Sequence, residues 1–327
     1  MMNSKPDTGY RYAIALIAGL FFAFGFLTWI SGILIPYFQI CLGLTNTEAA
    51  FVSFATYTAY FVFALPSASL LEKKGYRFGM SAGLVTMAIG TLLFIPAAYS
   101  RLYPLFLTGL FVTGAGITLL QAAVNTYLAV MGPPESTAQR IGIMGFSNKL
   151  AGLLGIVIFG NLFLSDADDV LAGISQQTSE LQSAIRNEYL LKVVNPYIVI
   201  SIVLLLLALL IAFSKLTEVG DPAISVAGEE ESGNTGRLTR FPYLCLGVLA
   251  LFMSTACEGI PVDGILLYSR SLDISVNAGR HLVTWSLVVM MAGYFASIIL
   301  IPAKLSQQRA LLLCSVWGIV FSLQAFF

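Results

Sequence analysis

The chain has 327 residues, of which 57% are hydrophobic and only 10% charged, with 17 Lys+Arg balancing 17 Asp+Glu; its mean hydropathy is +0.85. A soluble domain carries about 25% charged residues, and a disordered chain combines low hydrophobicity with high net charge. Both classes are excluded, as is a basic nucleic-acid binder, which leaves a polytopic membrane protein.

Nine apolar segments run along the chain, at roughly 12–39, 49–71, 78–99, 102–131, 141–164, 193–214, 242–268, 282–302 and 310–327. Each approaches the ~20 residues that a membrane helix needs. The first far exceeds the ~7–15-residue core of a signal peptide and is expected to be an uncleaved span. Continuous runs such as 198–212 exclude the alternating pattern of a β-barrel. With the N-terminus in the cytoplasm, the inner loops hold 11 Lys and Arg residues and the outer loops hold 5. That asymmetry predicts an N-in orientation.

Two connections are long. The stretch 165–192 is polar and falls outside, with a short surface helix expected over 176–191. The stretch 215–241 is cytoplasmic and rich in Gly, Ser and Glu, without apolar periodicity, so it reads as a linker. The organisation expected is a six-helix bundle over 1–214, a linker over 215–241 and a second helical set over 242–327. An internal repeat fits this plan. Ser31-Gly32-Ile33-Leu34-Ile35 resembles Asp263-Gly264-Ile265-Leu266-Leu267, and the same offset sets Arg77 on Arg309. By that repeat the second set should hold six helices, whereas three are present. The expected fold class is therefore an all-α, two-bundle transporter with nine of twelve helices, truncated at its C-terminus.

The four cysteines (Cys41, Cys245, Cys257 and Cys314) lie far apart, and His281 is the single histidine. This spacing predicts neither a disulfide framework nor a metal site. There is no P-loop, no potassium-channel filter and no catalytic constellation. No enzyme activity and no cofactor are expected.

Charges inside the membrane are costly, at least ~2.5–3.5 kcal/mol each on insertion scales, and they mark function by default. Lys149 lies nine residues past Arg140, about 13 Å deep at the helical rise. Glu258 and Asp263 fall in the seventh segment among Gly259, Pro261 and Gly264, where a broken helix is expected. The charges fit a polar cavity. They also fit an ion pair between bundles, Lys149 with Glu258, and the two are compatible. Asp263 alone also fits the outer water interface. Gln121 and Asn125 stand at i and i+4, on one helix face, and Asn148 precedes Lys149. Amides both donate and accept, which suits sugar hydroxyls. They equally suit interhelical hydrogen bonds. Trp29, Tyr57 and Tyr60 are candidates for stacking on a sugar ring or for core packing.

At these residues the chain resembles the fucose/galactose/glucose:proton symporters of the major facilitator superfamily, and the glucose/galactose branch most closely. The stretches that carry the resemblance are Gly25-Phe26-Leu27-Thr28-Trp29 with Ile33-Leu34-Ile35-Pro36-Tyr37, Leu120-Gln121-Ala122-Ala123-Val124-Asn125, Gly132-Pro133 with Arg140 through Asn148-Lys149, Asn195-Pro196-Tyr197, and Leu246-Gly247-Val248 running on to Cys257-Glu258 and Asp263. Glu72 through Arg77 is a weakened form of the superfamily's basic loop. The resemblance implies sugar uptake with a cation, by alternating access, in a multi-pass protein of the bacterial inner membrane. It implies a sugar-site role for Gln121, Asn125 and Asn148, to which Lys149 and Trp29 are added as candidates. Glu258 falls on the seventh-helix glutamate of the glucose branch, so it is expected to couple the cation, with Asp263 second.

The chain departs from the fucose branch at two positions. Gly32 and Gln121 stand where that branch carries its first-helix aspartate and fourth-helix glutamate. Thr126 stands where a proline is usual. The expected partners are a hexose, a proton or a sodium ion, and the lipid bilayer, with the chain as a monomer. The rival expectation is a truncated, non-transporting membrane fragment or sensor. An exporter of hydrophobic drugs fits the amide-rich cavity poorly.

Overall fold

A computed structural model describes residues 8–130, 137–175, 177–214, 216 and 242–324. The described chain is helical. Its elements are α1 (Thr8–Leu42), α2 (Asn46–Lys74), α3 (Tyr76–Leu92), α4 (Phe94–Ser100), α5 (Tyr103–Val130), α6 (Thr137–Leu164), α7 (Ala167–Ser175), α8 (Ser179–Leu191), α9 (Val194–Ala212), α10 (Pro242–Ser271), α11 (Val276–Ala303) and α12 (Gln307–Gln324). Among the described residues, seven helical stretches are long and apolar enough to cross a membrane. The nine expected segments map onto α1, α2, α3 with α4, α5, α6, α9, α10, α11 and α12.

Local chemistry sets the boundaries. Thr45 caps α2, accepting from the Glu48 amide while Glu48 Oε2 accepts from the Thr45 amide at 2.8 Å. This reciprocal capping box satisfies two orphan donors. The helix stops at Gly75, whose φ of 82° suits glycine. The third segment is interrupted at Leu93. Pro96 has no N–H to return to the Leu92 carbonyl, and its ring crowds that group. The interruption is short, because Ala97 N donates to Leu93 O at 3.2 Å.

The expected break in the seventh segment is not found. α10 is helical without interruption through Gly259, Pro261 and Gly264. Proline costs one backbone hydrogen bond inside a helix, and membrane helices tolerate that loss when neighbours compensate. Pro36 in α1 and Pro66 in α2 are accommodated the same way. The connection over 165–192 also departs from expectation. It holds two helices, α7 and α8, not one. Tyr37 Oη ties α8 to α1, donating to Tyr189 O at 2.6 Å and Leu190 O at 3.1 Å.

The closest packing joins α3 to α5, α1 to α6, α2 to α5, α6 to α11 and α3 to α9. Lipid gives helices no hydrophobic drive to associate, so small residues that allow close approach do so instead. A Cβ on Gly116 would lie 2.6 Å from the Gly83 carbonyl oxygen and 2.6 Å from the Met87 nitrogen. Hydroxyls tie α3 to α9, with Thr91 and Ser201 at 2.8 Å and Ser81 on Ala208 O at 3.0 Å.

α6 has two glycine edges. Gly152 and Gly155 admit Trp29, Ile30 and Phe26 of α1, while Gly142 and Gly145 admit Ile298 and Tyr294 of α11. This second edge joins the two helical sets, and α10 leans on α11. α12 buries no residue.

There are two cores. The one at the α1 C-terminal end includes Val262 of α10 and Val283 and Leu287 of α11. The one at the other end has no member from α10 to α12 among the described residues. The expected linker, 215–241, lies outside the described residues apart from Leu216, which is buried.

Candidate functional site

Between the two sets lies a cavity of about 350 Å³. That is at the lower end of the ~300–1,000 Å³ typical of small-molecule sites. Of the sequence candidates, Trp29, Gln121, Asn125, Asn148, Lys149 and Glu258 all line it, with Tyr57 and Tyr60. The side chain of Asp263 lies outside the described ones. The cavity extends past Phe21, Phe24, Leu128 and Ile141 toward the end where α1 and α6 begin.

The polar walls differ in how they are occupied. On α5, Gln121 and Asn125 are exposed to the cavity, and no described residue hydrogen-bonds to either amide. Asn148 is already engaged: its Oδ1 accepts from Trp29 Nε1 at 3.0 Å, and its Nδ2 donates to Phe21 O at 3.4 Å. Gly25 makes room for it, since a Cβ there would lie 2.7 Å from the Asn148 carbonyl oxygen. Asn148 therefore clamps α6 to α1 at the cavity edge.

Lys149 is 3% exposed. Its Nζ pairs with Glu258 Oε1 of α10. The same ammonium sits 3.8 Å from the centroid of the Trp29 ring and 5.9 Å from that of Tyr294. A desolvated ammonium over an aromatic face gains roughly 2 kcal/mol. Trp29 is buried and its face holds the lysine, so its position is that of a support for the ion pair. The Glu258 side chain is 38% exposed, so one partner faces the cavity while the other is enclosed.

Tyr294, Phe21, Phe24 and Thr28 also line the cavity, and nothing in their sequence context singles them out as a set. Tyr294 had one legible signal, a hydroxyl-bearing ring within the apolar segment 282–302. It seats against Gly145. Tyr57 reaches across to α10, where a Cβ on Gly259 would lie 2.6 Å from its hydroxyl.

The arrangement offers unengaged amides, aromatic walls and a carboxylate whose charge is balanced by one lysine. It can bind a small polyhydroxylated molecule beside that carboxylate.

The Major Facilitator Superfamily profile matches residues 16–327. The chain is 31% identical over 256 residues to the glucose/galactose transporter of Brucella abortus biovar 1 (strain 9-941), which covers 78% of this chain and 58% of that protein. It is 31% identical over 321 residues to the L-fucose-proton symporter of Escherichia coli (strain K12), covering 95% of this chain and 73% of that protein. A crystal structure of the major facilitator transporter FucP in the outward conformation superposes with a TM-score of 0.71 at 28% identity, over 89% of this chain and 72% of that one. The chain thus spans just over half the length of the glucose/galactose transporter it matches. It belongs to the Major Facilitator Superfamily and is a multi-pass membrane protein.

Proposed function

We propose that this protein imports a glucose- or galactose-like hexose together with a proton, by alternating access. It acts as a carrier and makes or breaks no covalent bond in its cargo. The observation that carries the reading is the cavity wall where the unengaged amides of Gln121 and Asn125 share one space with the Lys149–Glu258 pair. The names of the relatives, a glucose/galactose transporter and an L-fucose-proton symporter, support the substrate class and the coupling ion.

In this reading Gln121 and Asn125 exchange hydrogen bonds with sugar hydroxyls, and Tyr57 and Tyr294 offer ring faces. Glu258 takes up the proton. A protonated carboxyl no longer attracts the ammonium, so the link between α6 and α10 weakens when the proton arrives. Asp263 is the second candidate for the coupling step. Residues 1–214 and 242–327 act as two units joined through a cytoplasmic linker, with the N-terminus inside and the chain in the bacterial inner membrane.

The test is uptake of labelled glucose, galactose and fucose into proteoliposomes containing the chain, under an imposed proton gradient, a sodium gradient or neither. Hexose accumulation driven by the proton gradient is expected. Accumulation driven by sodium alone overturns the coupling ion, and absence of any saturable hexose binding to the purified chain overturns the substrate class.

A further inference from the structure

A second pocket of about 450 Å³ lies at the end of the bundle where α1 and α4 terminate. Its wall is one face of α8. Ser179, Gln182, Ser183, Arg186 and Asn187 recur there at helical spacing and all line it. Arg101, which ends α4, closes the opposite side.

The two arginines are held in different ways. Arg101 adopts a left-handed backbone, with φ of 55°, which is uncommon for a residue with a side chain. Its Nε donates to Asn187 Oδ1 at 2.8 Å and its Nη2 to Ser183 O at 3.4 Å. These bonds fix the guanidinium against α8. Arg186 is half-buried, and no described residue accepts a hydrogen bond from it. Its Nη1 occupies the space beside Gly43, where a Cβ would collide with it and where φ of 68° also favours glycine.

No carboxylate lines the pocket. Glu180 and Glu188 belong to α8 but are not in its wall, and Asp166 is paired with Lys192 at 3.0 Å. A half-buried guanidinium with no acceptor carries a desolvation cost that an anion would offset. Guanidinium geometry matches the oxygens of a phosphate in pairs, and the serine hydroxyls and amides beside it can complete the shell.

We infer that this pocket, built from Arg186, Arg101 and the facing side of α8, binds a phosphate-class oxyanion. Two sources share that chemistry, the headgroup of an anionic phospholipid and free inorganic phosphate. Bound there, the anion bridges the α4 end to α8 and lies next to the α1 end. It sits apart from the cavity that holds Gln121, Asn125 and Glu258, so the inference does not depend on the identity of the transported molecule.

The test is the thermal unfolding of the purified full chain in dodecyl maltoside. It is titrated with sodium phosphate against sodium chloride at matched ionic strength, and separately with dioctanoyl phosphatidylglycerol against dioctanoyl phosphatidylcholine. A saturable rise in Tm is expected with phosphate, with phosphatidylglycerol, or with both. A response to phosphate identifies a free-anion site, and a response to phosphatidylglycerol alone identifies a headgroup site. Arg186→Gln is expected to weaken the apparent affinity about tenfold, the loss of one charge-assisted contact, while Arg186→Lys retains part of it. No saturable response from the wild-type chain overturns the inference without recourse to any variant. An Arg186→Gln chain that titrates like the wild type overturns it too.

Discussion

Lys149 of α6 and Glu258 of α10 form an ion pair across the two helical sets, with the ammonium resting on the ring of Trp29 at 3.8 Å. Because Lys149 is enclosed and Glu258 faces the cavity, the two ends of the pair are not equivalent. Removing the carboxylate strands a buried cation. Breaking a fully buried pair costs roughly 3–5 kcal/mol, and the exposure of Glu258 reduces this to an expected ~1–3 kcal/mol. Glu258→Gln should therefore lower Tm in detergent, and adding Lys149→Met should restore most of the loss. If the double variant is no more stable than Glu258→Gln, the pair is not the source of the effect.

The same substitution has a transport signature. Glu258→Gln should abolish gradient-driven accumulation while sparing sugar exchange, because an amide cannot gain and lose a proton but can still hydrogen-bond. Exchange and accumulation measured on the same proteoliposomes separate the two. Unchanged accumulation would move the coupling role to Asp263 or off this helix.

Gln121 and Asn125 are exposed to the cavity and bonded to no described residue, so truncating either to alanine should leave Tm unchanged within about 0.5 kcal/mol of stability. Hexose affinity measured by titration calorimetry should fall up to about tenfold for each, the loss of one hydrogen bond. An equal loss of stability would show that the amides hold helices together.

Two hydroxyls in the first bundle should respond oppositely to loss. Thr91 is buried and bonds Ser201 at 2.8 Å, so Thr91→Val should cost about 1 kcal/mol. Thr113 Oγ1 is buried without a hydrogen-bond partner among the described residues, so Thr113→Val should be neutral or stabilising. Thermal unfolding of the two variants side by side decides this, and a larger loss for Thr113→Val would reveal a partner for its hydroxyl.

Glycines divide in the same manner. A methyl on Gly116 meets backbone atoms of α3 at 2.6 Å, whereas one on Gly19 meets nothing within 4 Å. Gly116→Ala should destabilise by roughly 1–3 kcal/mol. Gly19→Ala should be neutral or gain up to about 1 kcal/mol from helix propensity. Unfolding midpoints that rank the other way would mean α3 and α5 do not pack as described.

The helices were legible because lipid demands long apolar runs, and most cavity residues were legible because a polar group in such a run stands out. Gln121 and Asn125 declare a shared face by their spacing, and Lys149 declares its depth by its distance from Arg140. Tyr294 was missed because a phenol inside an apolar segment reads equally well as packing. The role of Asn148 could not be read, because its bond to Trp29 joins positions 119 apart in sequence. The interruption at Leu93 was available from Pro96. The break expected in α10 was not found, because Gly and Pro weaken a helix in isolation while its neighbours decide whether it bends. The opposed Arg101 and Arg186 are separated by three helices, α5 to α7, and share a pocket only after the fold is made.

The unequal cores have an energetic consequence for the alternating opening proposed for this chain. Among the described residues α10 and α11 give Val262, Val283 and Leu287 to the core at the α1 C-terminal end and no member to the other core, where α11 meets α6 through Ile298 at Gly142 instead. Fully exposing an aliphatic side chain of this size costs about 1.5–3 kcal/mol. Opening that end thus works against a bias of up to several kcal/mol, before any compensating burial at the other end. A cargo or proton can shift such an equilibrium only by as much as it prefers one arrangement over the other. Shortening these three side chains, none of which lines the cavity of Gln121, Asn125 and Glu258, is expected to lower that bias and leave the cavity walls as they are.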